Sequence, residues 1–293
     1  MNNIGVMQGR LTNPGERIGI QFPLYNLDEI RAEFDSAKYL KLDYIEWNIG
    51  KNIPNLFLGD FYAQETIKAM KESTNVLIKS IDLDFLKDLD LKDKDLGFAT
   101  NKINWISNIA SHIGCKTIVI PIYNINMNML QIRYLISLIL EQYHIKIAFE
   151  FLDSSSFTGI NFINDLCYPD KLSFRDGNNK IGCCFDIGNN CLVLGTLTNP
   201  PHKNYEGIIK EMENYNKYGK LYHIHIKEKD KHGNTVPLGK GIIGNKGWEE
   251  IFSFLKDINY GGDYTLQVAR GKNGNEMDYI HEQVEFVKGL MKD

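Results

Sequence analysis

Residues Leu221–Asp230 read LYHIHIKEKD, and the organisation of the whole chain can be worked out from them. The segment is a short apolar run with His223 and His225 at alternate positions, and it ends in a cluster of charged residues. Residues i and i+2 of an extended strand point to the same face of a sheet. We therefore predict a strand that presents both imidazoles on one side.

Three other short runs resemble this one, because each has strand-like composition and one polar residue at a comparable place. They are Ile145–Leu152 with Glu150, Ile181–Asn189 with Asp186, and Tyr264–Arg270 with Gln267. The intervals from Glu150 to Asp186, from Asp186 to His225 and from His225 to Gln267 are 36, 39 and 42 residues. This near-constant step fits one strand, one helix and two loops. Four successive strand ends would then bring two carboxylates, an imidazole and an amide oxygen together, which predicts a metal site if the strands close into a barrel.

The earlier part of the chain continues the same alternation of strands and helices. Four further strands are predicted at Ile4–Met7, Leu42–Trp47, Val76–Asp82 and Lys116–Tyr123. Eight strands that alternate with helices, without a linker or a break in composition, predict one (β/α)8 TIM barrel over residues 1–293. A doubly wound open sheet is the alternative, but no glycine-rich nucleotide fingerprint follows the first strand.

Composition narrows the functional classes. The 293 residues are 43% hydrophobic, carry a net charge of −4 and have a pI near 6.0, so we expect no nucleic-acid partner. No apolar run approaches the length of a membrane span, and the N-terminus opens into a strand pattern rather than a signal peptide. The five cysteines lack C-x-x-C spacing and lie mostly in apolar runs. We expect reduced core cysteines in a cytoplasmic protein.

Several residues near predicted strand ends are further candidates for substrate binding. Arg10, Lys227 and Arg270 suit a phosphate or carboxylate, and guanidinium groups bind such anions in a bidentate manner. Trp47 suits stacking on a sugar ring, whereas we expect Trp248 to pack between helix and barrel. The other candidates are Gln8, Glu46, Asn189 and His223, of which His223 also suits a supporting role beside His225. The glycine-rich loop Lys231–Lys246 is a candidate lid.

Four segments resemble the xylose isomerase-like TIM-barrel superfamily: AFEFL at 148–152, CFDIGNN at 184–190, YHIHIKEKD at 222–230 and PLGKGII at 237–243. The opening GVMQGRL and the closing YTLQVARG resemble a bacterial branch of sugar phosphate isomerase/epimerase-like proteins. The resemblance spans the chain. It implies a sugar or sugar-phosphate isomerase or epimerase that works through an enediolate with one divalent ion of Mn, Mg, Co or Zn, and a possible homodimer.

The resemblance also implies roles for individual residues. Glu150, Asp186 and His225 match three metal ligands, with Glu150 as general base and Lys227 in the catalytic set. Gln267 stands where the family has a second glutamate, and Asn189 stands where it has a histidine. A glutamine offers a carbonyl oxygen to a metal but cannot accept the substrate's proton. One-base isomerisation or dehydration therefore fits better than two-base epimerisation. One alternative is a metal-dependent or metal-free dehydratase or lyase that acts on an inosose-like or keto-acid substrate. The other is a catalytically silent sugar-binding barrel.

Overall fold

The computed structural model describes residues 2–12, 27–50, 61–88, 96–122, 129–141, 144–151, 156–167, 180–191, 204–271 and 274–292. Eight parallel strands form a closed barrel. They are β1 (Ile4–Met7), β2 (Tyr44–Asn48), β3 (Leu77–Asp82), β4 (Thr117–Ile122), β5 (Lys146–Phe151), β6 (Ile181–Asp186), β7 (Leu221–Ile226) and β10 (Asp263–Leu266). The predicted strand ends Tyr123 and Leu152 lie outside the described residues.

Helices follow the strands in the alternating order that the sequence predicts. The helices of the described residues are α1 (Leu27–Tyr39), α2 (Phe61–Thr74), α3 (Leu96–His112), α4 (Met129–Leu140), α5 (Ser156–Cys167), α6 (Asn204–Lys217), α7 (Gly244–Asp257) and α8 (Glu276–Lys292), with a 3₁₀ helix at Asp84–Asp88. Strand order around the barrel follows chain order, and β1 closes the barrel by pairing with β10. The (β/α)8 prediction is confirmed, and the open-sheet alternative is wrong.

The strands are apolar because the barrel buries them on both faces. Every residue of β1, β2 and β6 is buried, as expected for parallel strands with side chains packed inside the barrel and helices packed outside it. The helices show the matching one-sided pattern. In α7, Trp248, Ile251, Phe252 and Leu255 are buried at the i, i+3, i+4 and i+7 spacing of a single helix face.

The loop after β7 has a defined structure. A two-stranded antiparallel hairpin, β8 (Glu228–Lys229) and β9 (Thr235–Val236), rises from the carboxyl end of β7. The predicted lid Lys231–Lys246 thus contains part of a hairpin and the first turn of α7.

The cysteine prediction is confirmed where the structure describes the side chains. Cys115, Cys183, Cys184 and Cys191 are free and buried; the side chain of Cys167 lies outside the described set. Among the described residues, no helix combines the length and the apolar character that a membrane crossing needs.

Candidate metal and substrate site

Three of the predicted metal ligands meet at the carboxyl end of the barrel. Glu150 lies on β5, Asp186 ends β6 and His225 lies on β7, and register pairs Asp186 directly with His225. Their ligand atoms all lie within 4.8 Å of one another, and all three side chains are buried. Parallel strands place their carboxyl ends at one rim. The regular spacing in the sequence thus becomes a compact group of two carboxylates and one imidazole.

Gln267 is held just beyond the end of β10. Its backbone N–H donates to Ile226 O at 2.9 Å, and its side-chain Nε2 lies 3.3 Å from the sulfur of Met7. The carbonyl oxygen Oε1 is buried and has no hydrogen-bond partner. This oxygen is the atom that a metal or a substrate hydroxyl would use.

Asn189 and Lys227 connect the two carboxylates. Asn189 Nδ2 donates to Glu150 Oε1 at 3.1 Å and to Asp186 Oδ2 at 2.9 Å, while Lys227 Nζ donates to Asp186 Oδ2 at 2.7 Å. Gly188 makes this arrangement possible, because a Cβ there would lie 2.8 Å from Lys227 Cγ and 2.9 Å from Lys227 O. Asn189 therefore acts as a bridge between two of the candidate ligands.

Glu46 and the two histidines form a buried layer inside the barrel. Glu46 Oε2 lies 2.8 Å from His223 Nε2, and Glu46 Oε1 lies 2.8 Å from His225 Nε2. Ser80 Oγ also donates to Glu46 Oε2, at 2.6 Å, and Thr265 Oγ1 lies 2.8 Å from His223 Nε2. The prediction that both imidazoles face one side is confirmed. This placement favours support of His225 by Glu46 and His223 over direct contact with a substrate.

The charges of this layer are strongly coupled. Burial opposes the charged form of His225, but Glu46, Glu150 and Asp186 outweigh it and raise its pKa to about 10. Burial also opposes ionisation of Glu46, yet His225 and His223 hold its pKa well below the usual value. Glu46 is thus an anion paired with the positively charged imidazole of His225.

The two carboxylates of the candidate metal group differ in basicity. Burial raises the pKa of Glu150 to about 7, and Asp186 adds to the increase against the opposing effect of His225. Burial acts on Asp186 in the same direction, but Lys227 and His225 hold its pKa below the usual value. Glu150 is therefore the carboxylate that is suited to exchange a proton near neutral pH.

The donor set fits a divalent cation. The contact between His225 Nε2 and Glu46 Oε1 is not aligned as a hydrogen bond, and both nitrogens of His225, together with Glu46 Oε1 and Gln267 Oε1, are buried without hydrogen-bond partners. Buried polar atoms are nearly always satisfied in folded proteins. Carboxylate, imidazole and amide oxygen suit Mg, Mn, Co or Zn. Glu150, Asp186, His225 and Gln267 are the residues that would hold the ion.

A second group of potential ligands lies deeper in the barrel. Cys184, His223 and His225 also bring their ligand atoms within 4.8 Å of one another. Burial raises the pKa of the Cys184 thiol well above its usual value, and His223 Nε2 is already engaged by Glu46 and Thr265. The neutral thiol and the engaged imidazole make this group a poorer cation site than the rim group.

Two of the three predicted anion-binding residues, Arg10 and Arg270, lie near β1 and β10. Arg270 Nε donates to Gly9 O at 3.1 Å, and burial together with the neighbouring Arg10 lowers the pKa of Arg270 to about 8. Glu33 of α1 accepts from the backbone N–H of Gly9 at 2.8 Å and contributes a carboxylate beside Arg10. Trp47, in contrast, is packed in the hydrophobic core with 4% of its surface exposed, which favours packing over stacking on a sugar.

Sequence reasoning missed two polar residues that end strands on the other side of the barrel. Asn48 ends β2 and Asp82 ends β3, and Asn48 Nδ2 donates to Asp82 Oδ2 at 2.8 Å. Gln8, which was predicted, accepts from the backbone N–H of Asn48 at 3.1 Å. A polar residue that terminates an apolar strand was the available signal, and the same signal had identified Asp186.

Comparison with protein families gives a match to the model described as xylose isomerase-like TIM barrel, over residues 34–290. The chain belongs to this family. Comparison with curated protein sequences finds no match.

Solved structures with the same fold include three that are informative here. The IolI protein with a bound zinc atom has a TM-score of 0.67 at 13% identity, over 99% of this chain and 98% of that one. L-Ribulose 3-epimerase has a TM-score of 0.64 at 13% identity, over 100% and 95%. The probable 3-DHS dehydratase AsbF of Bacillus anthracis has a TM-score of 0.64 at 12% identity, over 98% of each chain. Identities this low establish the shared fold alone.

Proposed function

We propose that the protein is a divalent-metal-dependent isomerase or epimerase that acts on a sugar or sugar phosphate. The observation on which this rests is the buried group of Glu150, Asp186 and His225, whose ligand atoms lie within 4.8 Å of one another at the barrel rim. Two solved structures with the same fold support the proposal by their names, since one is a zinc-bound protein and the other is an L-ribulose 3-epimerase. A bound cation would supply Lewis-acid polarisation of a substrate carbonyl and of the adjacent hydroxyl.

Glu150 is the general base of the proposed reaction. Its carboxylate is buried, and its raised pKa of about 7 allows it to take a proton from a substrate carbon and to return it. Asn189 Nδ2 holds Glu150 Oε1 at 3.1 Å and leaves the other oxygen, Oε2, on the side of His225. The amide therefore fixes the orientation of the base.

Gln267 restricts the type of proton transfer. An amide has no proton-accepting capacity near neutral pH, so a second carboxylate base is not available at the position that the family fills with glutamate. A single base that moves a proton between adjacent carbons on one face of an enediolate needs no second base on the opposite face. The residues therefore favour aldose–ketose isomerisation over epimerisation by two opposed bases.

Lys227 and Arg270 would orient the substrate. The ammonium of Lys227 lies 2.7 Å from Asp186 Oδ2, so it can donate to a substrate oxygen next to the reacting carbon. Arg270 follows Gln267 by three residues, and its guanidinium suits a phosphate or carboxylate. Both assignments are proposals for a substrate that reaches from Asp186 towards β10.

The decisive experiment is elemental analysis of purified protein before and after chelation, for wild type, Glu150→Gln and a control, Glu249→Gln. Glu249 is an exposed residue of α7, so its substitution removes one carboxylate without touching the site. We expect about one divalent ion per chain in wild type and in the control, and much less in Glu150→Gln. Protein that contains no ion and shows no thermal shift with Mn, Co, Mg or Zn would overturn the metalloenzyme proposal.

A metal-free lyase or dehydratase is the second candidate function. The observation in its favour is the ammonium of Lys227, which already supplies a positive charge to Asp186 at 2.7 Å. One of the structures of the same fold is a probable dehydratase by name. Loss of water from an inosose-like or keto-acid substrate by protein that has been freed of metal would favour this candidate, whereas activity that returns only with added Mn or Co would favour the first.

A further inference from the structure

Asn48 and Asp82 form a polar pair at the rim, at the ends of the neighbouring strands β2 and β3. Strand register pairs the two residues directly. Their side chains are 3% and 2% exposed, so neither is a solvated surface group. Gln8 Oε1 accepts from the backbone N–H of Asn48 at 3.1 Å and fixes the end of β2. The pair is therefore part of the built interior of the site.

The hydrogen bond within the pair leaves two acceptor atoms without a donor. Asn48 Nδ2 donates to Asp82 Oδ2 at 2.8 Å. Asn48 Oδ1 and Asp82 Oδ1 are consequently buried acceptors without hydrogen-bond partners. Buried acceptors of this kind require a donor, and each needs its own.

The carboxylates around the pair disfavour an anionic ligand. Burial raises the pKa of Asp82 well above its usual value, and the carboxylates of Asp84, Glu150 and Glu46 add to the increase. A phosphate or carboxylate would meet this negative potential, whereas a neutral hydroxyl group would donate to it. Within the described ranges, Asp82 is in neither of the two groups of potential metal ligands, which disfavours a second cation here.

The position of the pair relates it to the candidate metal group. Strand order places β2 and β3 four strands away from β6 and β7, that is, on the opposite side of the barrel mouth. A substrate whose carbonyl end lies at Asp186 and His225 can therefore place hydroxyl groups across the mouth, at Asn48 and Asp82. Neighbouring strands are spaced by about 4.8 Å, which suits hydroxyl groups on adjacent carbons.

We propose that Asn48 and Asp82 form a subsite for two neighbouring hydroxyl groups at the uncharged end of a polyhydroxylated substrate. This inference rests on the proposed function, because it takes the reacting end of the substrate to lie at the Glu150, Asp186 and His225 group. It commits the substrate class further: the end over β2 and β3 bears hydroxyl groups and no phosphate. Any anionic group of the substrate lies elsewhere, on the side of Lys227 or Arg270.

The test compares two probes that share a reacting end but differ in remote hydroxyl groups. Hydroxyacetone has a carbonyl and one adjacent hydroxyl, whereas L-ribulose adds further hydroxyl groups. Calorimetric titration is carried out on wild type, Asn48→Leu and Asp82→Asn, each with Mn²⁺ and after chelation, with Mn content measured in the same samples. Asp257→Asn is the control, because it makes the same substitution at an exposed position at the end of α7. Circular dichroism checks folding, and Asn48→Ser replaces Asn48→Leu if the latter does not fold.

We expect wild type and Asp257→Asn to bind L-ribulose at least about tenfold more tightly than hydroxyacetone, because each hydroxyl donor to a buried acceptor adds affinity. Asn48→Leu and Asp82→Asn should each lose most of this preference while binding hydroxyacetone unchanged. A preference that survives in both variants, or that wild type lacks, overturns the subsite. Two Mn ions per chain that fall to one in Asp82→Asn would overturn it in favour of a second cation site.

The same samples separate failure of the subsite from failure of the proposed function. Ketose preference that depends on Asn48 and Asp82 in protein that binds no metal supports the subsite and removes the metal-dependent mechanism. Metal that binds normally in protein whose ketose preference ignores both substitutions supports the mechanism and removes the subsite.

Discussion

Glu46 connects the buried interior of the barrel to the candidate metal group through its contacts with His223 and His225. It is fully buried, and its two carboxylate oxygens lie 2.8 Å from His223 Nε2 and from His225 Nε2. The nitrogen of His225 on the other side, Nδ1, lies 3.7 Å from Glu150 Oε2. A carboxylate this close to a metal-binding imidazole restricts the orientation of the ring. Glu46 is in this sense a positioning residue.

Glu46→Gln should therefore weaken metal binding without removing a ligand. We expect the dissociation constant for Mn²⁺ to rise about 10–100-fold, the range typical of residues that support metal-binding histidines. Titration calorimetry of wild type, Glu46→Gln and Glu249→Gln measures this effect, and the Co²⁺ absorption spectrum reports a changed ligand geometry. An unchanged Mn²⁺ affinity in folded Glu46→Gln protein would show that His225 needs no such support.

Protonation of His225 predicts the pH dependence of metal affinity. The raised pKa of His225, about 10, means that this imidazole holds its second proton at neutral pH, and Glu150, with a pKa near 7, holds part of another. A metal must displace these protons, so affinity should rise with pH. Between pH 6 and pH 8 we expect Mn²⁺ binding to become roughly tenfold tighter per pH unit for each proton that the metal displaces.

The measurement is Mn²⁺ titration in buffers of different ionisation enthalpy, which gives the number of protons released. Asp257→Asn, at an exposed position at the end of α7, should reproduce the wild-type slope. Metal affinity that stays constant from pH 6 to pH 8, with no proton release, would contradict the prediction.

Individual residues also show how far the sequence can be interpreted without the structure. Glu150, Asp186 and His225 were predictable because each is a single polar residue near the end of an apolar strand, at regular intervals along the chain. Trp47 was assigned to the substrate because an indole ring can stack on a sugar. Alternation along β2 instead sends Glu46 into the barrel and Trp47 to the other face, where it packs in the hydrophobic core. The pairing of Asn48 with Asp82 depends on strand register, which spacing alone does not specify.

At the scale of elements, one carboxylate organises the loop that joins β7 to α7. Glu228 is completely buried and accepts hydrogen bonds from the backbone N–H groups of Gly239, Gly241 and Gly244 and from Trp248 Nε1. The last two donors belong to α7, and an anion near a helix N-terminus is favourable. The glycines that suggested a mobile lid thus converge on a fixed anion, a contact that no local pattern in the sequence indicates.

Glu228→Ala should be strongly destabilising for this reason. It leaves four donors around an empty space, and unsatisfied buried donors cost about 1–3 kcal/mol each. We expect a loss of at least about 3 kcal/mol, which lowers the melting temperature by roughly 5–10 °C. Thermal melts of Glu228→Ala beside Glu250→Ala, an exposed glutamate of α7, measure the difference. Equal melting temperatures for the two variants would show that the loop does not depend on this carboxylate.

At the scale of the whole molecule, the site depends on closure of the barrel by its first and last strands. Ile4 pairs with Tyr264 and Val6 with Leu266, while β1 also pairs with β2 on its other side. Asn3 Nδ2 donates to Asp263 Oδ1 at 2.8 Å and strengthens the junction. The alternation of strands and helices predicted this closure, since eight right-handed βα units curve into a barrel.

A chain that lacks residues 1–8 should therefore lose metal binding, although it retains Glu150, Asp186, His225 and Gln267. Removal of β1 opens two sheet edges, at β2 and at β10, and exposed edges favour aggregation. It also frees Glu46 and Gln267 from their neighbours, since Gln8 N donates to Glu46 O and Gln267 Nε2 contacts Met7. Mn²⁺ titration, circular dichroism and size-exclusion chromatography compare this chain with one that lacks residue 1 alone. A truncated chain that melts cooperatively and binds one Mn²⁺ would show that β5, β6 and β7 form the site without a closed barrel.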